Sequence, residues 1–220
     1  MSNKSYLCCT DYPDICPSLG MTGFDATEHV RAVGVYCVPL AWLALFGPDS
    51  LVTKVIQIPG NEELSIRGDG TVEVISTNTY SYTITAPIAS RELCIDRLES
   101  NIPLLETLLQ QPAGSLALHG ACLQAALEQS PGEYATIELQ EISCMEGETN
   151  FFVNLRMVLE WFEGIENPQA RRAARALGDL DLNRPIGPPR SFSTDSNLGD
   201  IDARNQENLI GSGYHDVSQG

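Results

Sequence analysis

The chain has 220 residues, 43% of them hydrophobic, and a mean hydropathy of -0.09, a globular composition that argues against an integral membrane protein. Its formal net charge of -16 is spread over both parts, with 22 acidic against 10 basic residues up to Gly178 and 7 against 3 from Asp179 onward. Nucleic acid and anionic membrane surfaces are therefore repelled, and a basic partner is attracted. The seven cysteines are irregularly spaced and no charged, apolar leader precedes Tyr6, which points to thiols in a reducing cytoplasm rather than a disulfide scaffold.

In chain order, residues 5 to 10 suit a first strand, and Asp11 to Thr27, with its prolines and glycines, suits a loop. Val33 to Val38 is a second strand, short and apolar enough to be buried on both faces. Pro39 opens a helix from Leu40 to Phe46, stopped by Gly47-Pro48. The uncharged run from Ala32 to Pro48 contains Pro39 and two glycines, so it reads as strand followed by helix and belongs to the core, not to a membrane span of roughly 20 apolar residues. Val52 to Ile58, Leu64 to Arg67, Thr71 to Ile75 and Thr79 to Thr85 alternate, and Gly68-Asp69-Gly70 marks a hairpin.

The second half turns helical. Ser90 caps a helix from Arg91, with Leu93, Leu98, Ile102, Leu105 and Leu109 on one stripe and a kink or division expected at Pro103. Leu116 to Leu127 is a further helix. Tyr134 to Ser143 reads as a half-buried strand, with Ala135, Ile137 and Leu139 inward and Thr136, Glu138 and Gln140 outward. Phe151 to Phe162 is a helix, and Gln169 to Leu177 a last short one, capped by Asn167, begun by Pro168 and closed by Gly178. From Asp179 to Gly220 apolar residues are isolated and no period survives, so the expectation is a disordered acidic tail. The expected architecture is α+β: an antiparallel sheet packed on a cluster of helices, one domain over 1–178, then the tail.

Few side chains suggest chemistry. Cys8, Cys9, Cys16 and His29 fall together, but adjacent cysteines on a strand face opposite ways and no C-x-x-C occurs. Asp11, Asp14 and Asp25 share a loop without EF-hand spacing. His119 and Cys122 share a helical face, among neighbours suited to packing. Glu138 and Glu141 differ by an odd number, so a regular strand turns them apart; Glu146 and Glu148 sit in an expected loop. His215 lies in the tail. Arg171, Arg172 and Arg175 complement the dipole at a helix C-terminus. Neither a Walker A loop, a G-x-G-x-x-G after a strand, nor a G-x-S-x-G elbow is present. No catalytic, cofactor-binding or metal-ligating residue is assigned.

The opening Asn3-Lys4-Ser5-Tyr6-Leu7, the Val38-Pro39-Leu40 segment and Ile137-Glu138-Leu139-Gln140-Glu141-Ile142 together resemble a family of uncharacterised bacterial proteins opening N-[RK]-S-Y-L. The resemblance spans residues 1 to about 165 and implies a fold unit without any activity attached. This chain has Cys8-Cys9 where that family often has an aromatic after Leu7. The functional expectation is an acidic, non-catalytic protein-interaction domain, of the kind of an immunity-type antitoxin that binds a basic toxin. The alternative is an enzyme that uses His119 and Cys122, or the Glu138/Glu141 strand.

Overall fold

The computed structural model describes residues 3–15, 30–66 and 72–180, with Ile186, Leu209 and Gly211 beyond them. Among the described residues five strands form one antiparallel sheet: β1 (Lys4–Thr10), β2 (Val30–Val35), β3 (Leu51–Ile66), β4 (Val72–Ser90) and β5 (Tyr134–Glu138), in the order β2-β1-β5-β4-β3. Register sets the two faces. Leu7 lies opposite Ala32 and Ile137, and Ala135 opposite Cys9 and Ala89; all six join the main core with the helices. Tyr6 opposite Glu138, and Cys8 and Ile88 opposite Thr136, belong to the other face, because successive strand residues alternate. At Gly34 only a glycine fits: a Cβ would come within 2.5 Å of both the Ser5 hydroxyl and the Pro39 ring.

The helices are α1 (Leu40–Leu43), α2 (Arg91–Leu109), α3 (Ala117–Glu128), α4 (Gln140–Glu146), α5 (Glu148–Phe162) and α6 (Ala170–Gly178). The apolar run identified as core is the hub of this layer. Val38 and every residue from Leu40 to Phe46 are fully buried, at roughly 1.5–3 kcal/mol of hydrophobic stabilisation for each large side chain. Its backbone polar groups are satisfied from neighbouring elements: the Val38 N–H donates to the Leu177 carbonyl (2.8 Å), and Asn101 Nδ2 donates to the Ala44 carbonyl (2.9 Å). No helix among the described residues is long and apolar enough to cross a membrane.

The α+β architecture matches the sequence expectation, and several elements differ in detail. The described parts of the four alternating runs between Val52 and Thr85 fall on two long strands, and Arg67, the expected Gly68-Asp69-Gly70 hairpin turn and Thr71 lie outside the described residues. Register shifts between Pro59 and Glu62 and between Glu63 and Leu64 carry β3 through its proline, which the outermost strand of a sheet tolerates. The second strand begins at Val30 and ends at Val35, and α1 stops at Leu43, short of Gly47. Ser90 caps α2 as expected, its hydroxyl accepting from the Leu93 N–H (3.3 Å), but Leu93 itself is 40% exposed and Cys94 starts the buried stripe. Pro103 does not divide α2. It sits on the exposed side with Glu99, whose carbonyl loses its helical donor to the ring where solvent can reach.

Tyr134 to Ser143 is not one strand. β5 lies between β1 and β4 and is buried on both faces at Ala135, Thr136 and Ile137, and the chain turns into α4 at Gln140. Glu146 and Glu148 accordingly sit on helices, at the end of α4 and the start of α5. In α6, Arg171 and Arg172 fall in the first turn, and only Arg175 lies near the C-terminus. Most of the expected tail lies outside the described residues. Of its described positions, Leu180, Ile186 and Leu209 are buried in the main core.

Candidate functional site

His119 and Cys122 are separated by burial. His119 is fully buried on α3 with no hydrogen-bond partner among the described residues on either ring nitrogen, and burial lowers its pKa to about 4, so the ring is neutral at pH 7. Cys122 faces solvent. The pair has the spacing of a dyad without its geometry, since a base buried in apolar surroundings does not reach an exposed thiol.

The turn into α4 has the opposite effect on Glu138 and Glu141. A continuous strand would direct them apart; instead both act on Tyr6, which stands opposite Glu138 in the sheet. Glu138 Oε1 accepts from the Gln140 N–H (2.7 Å), and Glu141 Oε2 accepts from the Lys4 N–H (2.9 Å). Burial, with a smaller push from Glu141, raises the Glu138 carboxyl to about 7, and burial with these two carboxylates raises the Tyr6 phenol. Glu138 therefore exchanges a proton near neutrality. Cys144 on α4 lies 3.9 Å from Glu148, and its thiol is raised by burial and by that carboxylate.

The most distinctive exposed surface is the β3/β4 ribbon. β4 pairs with β5 only through Ile88, Ala89 and Ser90; between Val72 and Pro87 its strand neighbour among the described residues is β3 alone. At about 3.4 Å per residue, the 16 residues of β3 run on the order of 50 Å. Along one face, Ile88, Ala86 and Ile84 are buried with Ile15 in a small second cluster, flanked by Val52 and Ile56. The same face continues outward to Tyr82 and Tyr80, which are 46% and 52% exposed. Val55, on the opposite face, is 62% exposed. The strip thus runs from cover at Ile84 into solvent at Tyr80.

A cleft of about 510 Å³ opens at the root of this ribbon, where β4 becomes α2. Glu92, Glu128 and Glu133 line it together with Arg91, Ile95 and Tyr134. The Arg91 guanidinium is turned inward and donates to the Ser130 carbonyl. Sequence reading assigned none of these residues a functional role, since Glu92 joins Glu128 and Glu133, which flank the α3–β5 connection, only through the β4–β5 pairing. Tyr80 and Tyr82 were legible as strand residues, and an i, i+2 aromatic pair is the signal that marks one face of that strand.

Among the described residues no three metal-ligating side chains gather. Cys16, Asp25 and His29 lie outside the described residues, while Cys8 and Cys9 are both buried, on opposite faces of β1. Asp14 pairs with Lys54 of β3 at 2.6 Å, which lowers its pKa. The motif residues of the sequence resemblance fall at three structural junctions: β1, the entry to α1, and the β5–α4 turn. No protein-family model, no curated protein and no solved structure matches the chain.

Proposed function

We propose that this protein is an acidic interaction domain that docks a basic protein partner along the outer part of its β-ribbon. The observation that carries the reading is the apolar strip of β4, buried at Ile88 and Ile84 and half-exposed at Tyr82 and Tyr80. Tyrosines on a sheet surface supply large, rigid contact area at little entropic cost, the profile of interface anchors. The net charge of -16 steers a basic partner and repels nucleic acid. An immunity-type role, in which the partner is a basic toxin, fits both features. The free thiols Cys94, Cys122 and Cys144 are in keeping with a cytoplasmic location.

The test is capture from a lysate of the source organism at low salt, with the wild-type chain and the Tyr80→Ser/Tyr82→Ser variant side by side. The expected result is a basic protein retained by the wild type, released as salt rises, and lost by the variant; addition of the wild-type chain should then inhibit that protein's own activity. Capture of the same proteins by both chains, or of none by either, overturns the reading.

A further inference from the structure

We infer that two copies of the chain pair through the open edge of β4, strand against strand in antiparallel across a two-fold axis, to form a reversible dimer. This contact is separate from the docking of a basic partner and does not depend on it. Between Val72 and Pro87 the strand neighbour of β4 among the described residues is β3 alone, so the backbone N–H and C=O groups along its other edge have no ladder partner there.

The two strands of the ribbon treat their open edges differently. β3, outermost in the sheet, carries the devices that keep an edge from pairing: Lys54, Pro59, the carboxylates Glu62 and Glu63, and an extra residue between Pro59 and Glu62. β4 carries none of these from Ser76 to Ala86. That stretch has no proline and no charged residue, is rich in threonine and tyrosine, and suits pairing.

The ends of the stretch fit a two-fold. At the inner end Pro87 has no N–H, and from Ile88 the edge is taken by β5. At the outer end Ile75 is the extra residue of a bulge opposite the step from Glu63 to Leu64. A bulge bends its strand, which turns the outer part of one ribbon aside from the other copy's β5. The regular residues between, Ser76 to Ala86, are centred on Ser81. Antiparallel pairing about Ser81 sets Ser76 against Ala86 of the second copy and Tyr80 against its Tyr82, a favourable aromatic cross-strand pair. The resulting sheet has four strands, where an isolated two-stranded ribbon is marginal.

Charge selects a second copy as the occupant. The 40 residues from Leu51 to Ser90 hold four acidic and two basic side chains, whereas the whole chain carries -16. Two such bodies repel, so like molecules meet where charge is absent, as it is from Ser76 to Ala86. The tyrosine face stays open beside the contact, with four tyrosines in a row. Pairing along this edge engages fewer residues than the roughly 20–30 a side of a stable interface, so the dissociation constant is on the order of tens of micromolar.

Sedimentation velocity of the full chain, from about 1 to about 500 μM, tests this with Ser81→Lys and Val55→Lys alongside. The expected result is a monomer–dimer equilibrium across that range. Ser81→Lys sets like charges against each other at the two-fold and should raise the dissociation constant about tenfold or more. Val55 is 62% exposed on the same face of β3, away from the edge, so Val55→Lys should change it less than about twofold. Both positions are exposed, and an unaltered far-UV spectrum shows that the variants fold. A monomer at every concentration overturns the dimer, and so does a monomer whose 76–86 amides resist hydrogen exchange, since a segment of this chain then covers the edge. A dimer indifferent to Ser81→Lys, or weakened equally by Val55→Lys, overturns the edge pairing. Failure here leaves the capture experiment standing, because docking on the tyrosine face needs only a monomer.

Discussion

The Glu106 carboxylate accepts the Leu116 backbone N–H at 2.7 Å, and its second oxygen takes the Gly114 N–H at 2.9 Å. Glu106 is almost completely buried near the end of α2, and Leu116 is the residue from which α3 starts. One side chain thus fixes the connection between the two helices and satisfies backbone donors that the start of a helix leaves open. Both of its oxygens are used, so its burial leaves neither without a donor.

Glu106→Ala is accordingly expected to lower stability by about 3 kcal/mol, because it leaves two donors without an acceptor. Glu106→Gln keeps one acceptor and should cost about half as much. Urea unfolding at pH 7 checks both, with the slope unchanged if only the native state is affected. An unaltered midpoint for Glu106→Ala would show that the connection is held by packing alone.

His119 and Glu138 make opposite contributions to the pH dependence of stability. For His119 the folded value of about 4 lies below the ordinary 6.5, so the unfolded chain binds the extra proton and stability is lost as pH falls from 6.5 toward 4. For Glu138 the folded value of about 7 lies above the ordinary 4.5, so the native state holds the extra proton and stability is lost as pH rises from 4.5 toward 7. Between pH 4.5 and 6.5 the two slopes, each about 1 kcal/mol per pH unit, nearly cancel. His119→Leu should therefore make stability fall as pH rises across that window, and Glu138→Gln should make it rise. Unfolding midpoints at pH 4.5, 5.5 and 6.5 for both variants and the wild type decide it; parallel profiles for all three would mean that neither group is perturbed as described.

The layered core was legible in the sequence because period and burial coincide there. The run from Val38 to Phe46 is apolar at nearly every position, and the structure buries it on all sides. Leu98, Ile102, Leu105 and Leu109 keep a helical period that only one face can satisfy. What failed depends on position within the sheet. Thr136 and Glu138 looked outward because alternation assumes one wet face, whereas β5 lies in the middle of a sheet covered at that point on both sides. The turn at Gln140 carries neither glycine nor proline, so no local signal separates β5 from α4. Leu180, Ile186 and Leu209 follow no period at all, and only the finished core offers them a place. The cleft was invisible for the same reason: strand pairing, not spacing, brings Glu92 to Glu128 and Glu133.

Removing the exposed tyrosines should separate binding from folding. Tyr80 and Tyr82 are about half-exposed, so serine substitution sacrifices strand preference and limited contact area, at less than about 1 kcal/mol each. Ile84→Ala, two residues inward on the same face and buried, should cost about 2–4 kcal/mol. Thermal unfolding of the three single variants ranks them. A loss at Tyr82 as large as that at Ile84 would place Tyr82 in the core and remove the ribbon's claim to a docking face.

Leu209 gives the most direct test of the C-terminal segment's part in the fold. It is completely buried in the main core, and two residues later Gly211 adopts a φ of +81° where a Cβ would collide with the Trp42 indole. Trp42 is itself the largest fully buried side chain of the hub segment, so Leu209 and Gly211 lie at the centre of the molecule. Leu209→Ala should cost about 2–5 kcal/mol, the range for truncating a buried leucine. Gly211→Ala should also destabilise, through the positive φ and the contact with Trp42. Leu209→Ala with an unchanged urea midpoint, together with a truncation after Leu180 that unfolds at the wild-type midpoint, would show that the hub is complete without the last forty residues.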